Sequence, residues 1–357
     1  MSAAATRSWL RRNFFATPAS ALASILGALA LAWFAPHAWR WLVTESVPGP
    51  ATLEQCLKAQ GACWAFLHDK WRLILFGQYT YEEQWRAGLA VALFVVMTAA
   101  SCVEAAWSAP ARRRAMFGAW LATLLAIAVL MRGGVPGLPP VETRLWGGLP
   151  LTMLIASVGC FLAFWLGILL ALARRCDMAV LRWIATGFIE FMRGVPLISL
   201  LFMSMVLFPL VLPPGWNVDQ LLRAQAAFVL FFAAYMAEAI RGGLQAIPAG
   251  QYLAAEAIGL GYWQTQLRIV LPQALTLVIP SLVNIFIAAF KDTSLVVIIS
   301  MLDLLGTTNA AKADTKWWGL FIEAYLFIAA IYLAFCASMS AFSRRLERRL
   351  GDGRGHG

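Results

Sequence analysis

Charged and hydroxyl side chains interrupt a long apolar run in the C-terminal third of the chain. Lys291, Asp292, Thr293 and Ser294 are consecutive and lie within the run 274–299. Ionised groups are costly inside a membrane unless they pair or line a water-filled cavity. A cavity with both charges and two hydroxyls could hold a ligand that carries an ammonium and a carboxylate, as an amino acid does. Mutual neutralisation of the two charges within a helix bundle would explain the same residues.

Two Glu-x-x-Arg pairs lie near the ends of other apolar runs. Glu190 and Arg193 are three residues apart, and so are Glu238 and Arg241. Residues at this spacing share one face of a helix. We therefore predict an ion pair within each helix. Arg193 has a second interpretation, as a direct contact for an anionic group of a substrate.

Motifs for catalysis are missing from the sequence. No lysine follows a glycine, so the chain has no Gly-Lys-Ser or Gly-Lys-Thr end of a phosphate-binding loop, and we do not expect it to hydrolyse ATP. It also lacks a His-Glu-x-x-His zinc motif and a Gly-x-Ser-x-Gly nucleophile elbow. We predict no catalytic site, no metal site and no cofactor in this chain.

The composition is typical of an integral membrane protein. Of the 357 residues, 61% are hydrophobic and only 13% are charged, which is more apolar than a soluble core requires. We predict an all-α fold with about eight transmembrane helices and both termini on one side. The predicted spans are 21–43, 87–107, 115–131, 148–173, 184–212, 224–240, 274–299 and 318–342.

Basic residues are unevenly distributed between the segments that join these spans. If both termini are cytoplasmic, the inside segments hold most of the arginines, and the first outside loop offsets its basic residues with acidic ones. The positive-inside rule then places the termini and the segment 241–273 in the cytoplasm. The predicted inside residues are Arg7, Arg11, Arg12, Arg112, Arg113, Arg114, Arg174, Arg175, Arg182, Arg241, Arg268, Arg344, Arg345, Arg348, Arg349 and Arg354.

The segment 235–272 is a structured interruption between two spans. Pro248 and Gly250 break the preceding helix, and the following residues are good helix formers. Gly259 and Gly261 permit a tight turn, after which helix resumes before Pro272. We predict a helix-turn-helix hairpin, 242–272, outside the bilayer.

This hairpin resembles the EAA loop of bacterial ABC-importer permeases, whose motif is Glu-Ala-Ala, three residues, Gly, nine residues, Ile-x-Leu-Pro. The matching positions are Ala254, Ala255, Gly259, Ile269, Leu271 and Pro272. Leu253 replaces the leading Glu of the motif, and the nearest acid, Glu256, lies about one helical turn further on. The flanking segments 237–251 and 291–295 are similar to the polar amino-acid branch of that superfamily.

The resemblance implies a permease subunit of an importer in the bacterial inner membrane. It implies a five-helix core of the type I importer class, coupled through the hairpin to a separate cytoplasmic ABC ATPase dimer that binds the ATP. The expected further partners are a second, related permease subunit and a periplasmic binding protein that delivers the amino-acid substrate.

A run rich in proline and glycine, 133–148, divides the chain. We expect a three-span extension at 1–140 with a periplasmic loop at 44–86, a permease core at 141–345 and a basic cytoplasmic tail at 346–357. A three-span extension resembles the general L-amino-acid importer permeases, as does the stretch 61–66 of the outer loop. Thiols outside an inner membrane are oxidised, which makes a disulfide between Cys56 and Cys63 plausible. The alternative is that both cysteines are free thiols.

Two other function classes were considered. A secondary transporter or channel would work alone, but such carriers often contain two similar halves, and we find no second copy of the hairpin. A formal net charge of +10 raises the alternative of nucleic-acid binding. Because the arginines are dispersed at span ends, we favour contact with anionic lipid and predict no nucleic-acid partner.

Overall fold

The structure is a computed structural model that describes residues 8–9, 12–103, 106, 108–211, 213, 215 and 218–352, with side chains as far as 348. Several positions used in the predictions fall elsewhere. Arg7, Arg11 and Arg354 lie outside the described residues, as do the predicted span ends Trp107 and Leu212. The predicted tail 346–357 is described only as far as residue 352.

Helices form almost all of the described chain, and the β-structure there is limited to isolated bridges, which confirms the all-α prediction. The α-helices are α1 Pro18–Trp39, α2 Leu53–Lys58, α3 Trp64–Phe76, α4 Gln84–Ser101, α5 Pro110–Arg132, α6 Gly148–Arg175, α7 Ala179–Gly194, α8 Leu197–Val211, α9 Gln220–Gln245, α10 Ala249–Ala257, α11 Tyr262–Thr265, α12 Leu271–Asp292, α13 Leu304–Lys312 and α14 Phe321–Asp352. Segments of π-helix follow α1 and α11, and a 3₁₀ segment follows α12.

Seven of the described helical segments are long and apolar enough to cross a membrane, and the pair α7 and α8 makes up to eight. The predicted fifth span, 184–212, is not one continuous helix. Its two halves meet at 104°. The bend follows Gly194, and Pro196 has no backbone N–H with which to continue a helix from α7.

Proline also shapes α8 internally. Pro209 cannot donate a hydrogen bond to the carbonyl of Met205, four residues earlier. The guanidinium of Arg223, on α9, donates to that carbonyl with an N–O distance of 3.1 Å. A basic residue at the beginning of one span thereby satisfies a polar group that proline leaves free in its neighbour.

Close packing of α6 on α9 relies on small residues. A Cβ added to Gly167 would lie 3.0 Å from the Cβ of Met236 and 3.2 Å from the carbonyl oxygen of Ala233. About two turns further along α9, a Cβ on Gly243 would lie 2.7 Å from the carbonyl oxygen of Ala274 in α12. Such small residues let helix backbones approach closely in membranes. They fix the central trio of helices α6, α9 and α12.

The described chain forms two compact units. One unit comprises 1–71 and 312–324, and the other comprises 72–311 and 325–357. In the first unit Cys56 and Cys63 are joined as a disulfide, with a Cα–Cα distance of 5.4 Å. The backbone N–H of Cys63 donates to the buried carboxylate of Glu323 at 2.9 Å.

Candidate functional site

The turn between α10 and α11 is built on a glycine with left-handed backbone. Gly259 has φ of +76°. Its N–H donates to the carbonyl of Glu256 at 2.9 Å, and the N–H of Leu260 donates to the carbonyl of Ala255 at 3.0 Å. These two bonds are the Schellman arrangement that ends a helix at an αL residue. The hairpin therefore has a defined turn and is not a loose loop.

The second limb of the hairpin continues directly into the membrane span. We expected Pro272 to mark the point where the chain re-enters the membrane, yet helix runs from Tyr262 to Asp292 without a break. Because Pro272 lacks an N–H, the turn before it is a π-helix in which the N–H of Leu271 donates to the carbonyl of Gln266. A displacement of the hairpin would thus be transmitted along a continuous helix.

The residues of the EAA-like motif divide into a buried set and an exposed set. Ala255 and Leu271 are buried, and Ile269 is half-buried against the core. The exposed motif positions are Ala254, Glu256, Gly259 and Pro272. The buried set attaches the hairpin to the bundle, and the exposed set lies on its outer surface.

The outer surface of the hairpin is strongly apolar. Leu253 is 65% exposed, Ile258 is 73% exposed and Trp263 is 59% exposed. Leu253 and Ile258 lie between the candidate spans Gln220–Gln245 and Tyr262–Ile299, and Trp263 lies at the very start of the second span. Exposed apolar patches outside a bilayer mark interaction sites. The exposure of these three side chains could not be predicted from the sequence, because burial cannot be read from a single apolar residue in a short helix.

Two polar contacts hold the hairpin in place. Arg175, at the end of α6, donates to the hydroxyl of Tyr252 in α10 at 3.3 Å, and its guanidinium lies over the ring at 5.9 Å. Gln273, at the start of α12, donates to the side chain of Gln251 at 3.2 Å. The two limbs and the end of α6 are thereby connected.

A cluster of four ionised side chains lies where α6, α7 and α9 come together. Arg174 contacts Glu190 at 2.8 Å and Glu238 at 3.1 Å. Arg241 contacts Glu238 at 2.5 Å, so the predicted pair within α9 is confirmed. The predicted pair between Glu190 and Arg193 is wrong, because the carboxylate of Glu190 is paired with Arg174 of another helix.

Arg193 lies instead over the ring of Tyr235, with the guanidinium carbon 5.8 Å from the ring centre. A cation in this position is attracted by the negative face of the ring. Its guanidinium is not occupied by a carboxylate in the described part of the chain. The arginine that the sequence paired with Glu190 therefore contacts an aromatic ring in place of that carboxylate.

The residues 291–294 lie at the junction of α12 and the 3₁₀ segment that follows it. Lys291 is exposed and Asp292 half-buried, and no salt bridge joins them in the part of the chain that the structure describes. The buried Thr293 donates its hydroxyl to the carbonyl of Phe290 at 2.9 Å, which occupies it within its own helix. No hydrogen bond or ion pair between described residues brings this group to Arg193.

One buried acid was missed by the sequence analysis. Asp303 is fully buried and accepts backbone N–H groups from Leu305 and Gly306 at the start of α13, and the hydroxyl of Tyr332 at 3.3 Å. Burial raises the pKa of Asp303 to about 6. From the sequence, Asp303 could have been predicted as a helix N-cap. Its contact with Tyr332 could not, because the two residues are far apart in the chain.

Metal ligation has no obvious place in this geometry. Within the residues that the structure describes, His, Cys, Asp and Glu side chains do not form any group of three or more able to hold a metal ion. What the site offers is a rigid hairpin, an ion-pair cluster beside it, and charged groups on two spans.

Comparison with known proteins gives one family match and several relatives. Residues 163–352 match the family described as binding-protein-dependent transport system inner membrane component. The inner membrane amino-acid ABC transporter permease protein YhdY of Escherichia coli K12 is 45% identical over 348 residues, covering 97% of this chain and 93% of that protein.

A second relative is the glutamate/glutamine/aspartate/asparagine transport system permease protein BztC of Rhodobacter capsulatus. It is 36% identical over 404 residues, covering 96% of this chain and 93% of that protein. Among solved structures, a crystal structure of an amino acid ABC transporter with histidines is similar at 28% identity, with a TM-score of 0.50. The match covers 57% of this chain and 92% of that one.

Proposed function

This chain belongs to the family of binding-protein-dependent transport system inner membrane components, and from that premise we propose that it is the permease subunit of an ATP-driven amino-acid importer. In this role it is a multi-pass protein of the bacterial inner membrane. Amino acids are the substrates named for its relatives in Escherichia coli and Rhodobacter capsulatus. A polar or broad range of L-amino acids is our proposal for this chain.

The single observation that carries the coupling mechanism is the apolar outer surface of a firmly held hairpin. Leu253, Ile258 and Trp263 are exposed on it, while Tyr252 is tied to Arg175 of α6. An ABC ATPase that binds this surface can transmit its closure through the continuous helix from Tyr262 to Asp292. The ATP is bound by that partner, because the present sequence has no phosphate-binding loop.

The further partners are a second, related permease and a periplasmic binding protein. Each chain has one hairpin, which binds one ATPase. Because the two ATPases of the proposed dimer act as a pair, the second hairpin must come from another membrane subunit. The hairpin and both termini are assigned to the cytoplasm on the distribution of arginines. The binding protein then meets the opposite end of the bundle.

The substrate path is proposed to use the charges of two spans. Arg193 would meet the carboxylate of an amino acid, and Asp292 would meet its ammonium, with Lys291 and the hydroxyls of Thr293 and Ser294 nearby in sequence. Opposite charges in a water-filled cavity match a zwitterion. Arg193 supports this role because it lies over Tyr235 and has no carboxylate partner among described residues.

An affinity experiment separates this function from a stand-alone carrier. The tagged chain is purified with nucleotide from its native bacterial cells, which contain the proposed partner ATPase and permease. Ile258→Glu should lose the ATPase, because it places a charge on the apolar surface. The matched control is Leu57→Glu, on a leucine that is 63% exposed in the outer loop, against 73% for Ile258. Amino-acid uptake by the purified chain alone would favour the secondary-transporter class instead.

A further inference from the structure

An apolar cavity is lined by residues of α4, α6, α12 and α14. Its volume is about 610 Å³. Phenylalanines form much of its wall, including Phe94, Phe290 and Phe335. The small residues Ser157 and Ser338 leave the space open between them. None of the proposed coupling or substrate-path residues lines this cavity.

One end of the cavity carries a single cation. Arg345 is the only ionised side chain in its wall, it is exposed, and the structure pairs it with no carboxylate among the described residues. Phe335 and Arg345 are ten residues apart on α14, which corresponds to a rise of about 15 Å. The cavity thus extends from the apolar middle of the bundle to the arginine-rich end of α14.

The shape and lining of the cavity fit an acyl chain. A volume of about 610 Å³ is spread along about 15 Å of α14, and its wall is almost entirely apolar. A hydrocarbon chain buries its surface favourably against the phenylalanines.

We propose that this cavity is a binding site for an acidic phospholipid of the cytoplasmic leaflet. One acyl chain fills the space between Phe94 and Phe335, and the phosphate is held by Arg345. Basic residues next to a span attract anionic headgroups, and Arg344 and Arg348 add to the field at the same end of α14. The lipid would fill the space between α4 of the proposed extension and the core helices.

Lipid retention by the purified protein tests this site separately from transport. The detergent-solubilised complex is stripped of lipid and incubated with phosphatidylglycerol or with phosphatidylcholine of the same acyl chains. Native mass spectrometry then counts bound lipid. We expect phosphatidylglycerol to be retained over phosphatidylcholine, and Arg345→Gln to weaken its retention about fivefold. Arg345→Lys should keep most of it.

Arg348→Gln is the matched control, because it removes a charge from the same helix outside the cavity wall. Equal losses for Arg345→Gln and Arg348→Gln would overturn the site and leave only a diffuse surface charge. Ser157→Trp, which fills the cavity, should abolish retention of both lipids. If that variant does not elute as an intact complex, Ser338→Phe provides the same test from α14. Undiminished retention in a folded filled variant would also contradict the proposal.

Discussion

At the scale of single residues, the hairpin turn depends on backbone conformation and not on space. Gly259 has φ of +76°, and no atom lies within 4 Å of the place where its Cβ would be. A β-branched residue would therefore be strained by its backbone alone. A substitution at Gly259 therefore changes the conformation of the turn without disturbing the packing of the hairpin against the bundle.

Gly259→Val should give a correctly inserted subunit with weakened ATPase binding and little uptake. The strain should be roughly 1–3 kcal/mol, since valine is disfavoured at positive φ. Gly259→Asn is the control, because asparagine tolerates this conformation better than valine does. Uptake and ATPase co-purification measure the outcome. Normal uptake by the valine variant would remove the hairpin from its coupling role.

Leu253→Glu restores the acid of the EAA motif and should be tolerated. The side chain of Leu253 is 65% exposed, so a carboxylate at this position remains hydrated. Uptake should stay close to that of the parent protein. A large loss of uptake would instead show that the ATPase has adapted to a leucine.

Asp303 should make the stability of the complex depend on pH. Its raised pKa of about 6 means that the folded state holds this proton more tightly than the unfolded state does. The stabilisation is full below the ordinary pKa of 3.8 and is lost as the pH rises through about 6. Asp303→Asn should remove this dependence. Asp303→Ala should also remove it, and at each pH it should be about 1 kcal/mol less stable than Asp303→Asn, because alanine cannot cap the helix. Thermal unfolding on both sides of pH 6 tests both variants, and an unchanged profile for Asp303→Asn would contradict the assignment.

At the scale of elements, the ends of α6, α7 and α9 are joined by ionised side chains. Glu238 accepts hydrogen bonds from Arg174 and Arg241 and is 25% exposed, whereas Glu190 contacts only Arg174 and is 55% exposed. The two glutamates thus form a matched pair for one experiment. The more buried and better bonded one should matter more.

Glu238→Gln should lower stability by about 1–3 kcal/mol, because it leaves two guanidinium groups short of a partner. Glu190→Gln should cost about 0–1 kcal/mol, as exposed pairs do. The melting temperature of the purified complex reports both changes. Equal shifts would mean that the cluster is a solvated surface feature without a role in holding the helix ends.

The sequence predicts contacts between residues that are close along the chain, and it does not predict contacts between distant ones. The pair Glu238 and Arg241 is local to one helix, so spacing alone predicted it. Arg174 reaches Glu190 and Glu238 from a different helix, and nothing in the spacing of residues tells which helix ends meet. For the same reason Pro196 alone could not predict the angle of 104° between α7 and α8.

At the scale of the whole molecule, the proposed importer requires more than one membrane subunit. The chain supplies one hairpin, and its core helices match a transporter of known structure over 57% of the chain. Purification of the tagged chain from its native cells should yield a complex that contains a second, related membrane subunit. Uptake in proteoliposomes that contain only the present chain would contradict this assembly.

The outer loop provides a second test at this scale. In the structure Cys56 and Cys63 are bonded, and we expect the same in cells if the loop is periplasmic. Alkylation before reduction should miss both residues, and non-reducing mass spectrometry should show one internal disulfide. Cys102, which is exposed and free, is the internal control for labelling. Labelling of Cys56 and Cys63 would show two free thiols and contradict the disulfide.

The bond from Cys63 to Glu323 also sets an order of events during synthesis. The two residues are 260 positions apart, and the carboxylate is almost completely buried against the loop. A nascent chain must therefore expose an unfinished outer loop until its final span emerges from the ribosome and inserts. Closing so long a loop has an entropic cost, and the helices inserted between the two residues reduce that cost. A chain truncated before residue 312 would keep the loop open, and a surveillance protease outside the membrane could recognise it as incomplete.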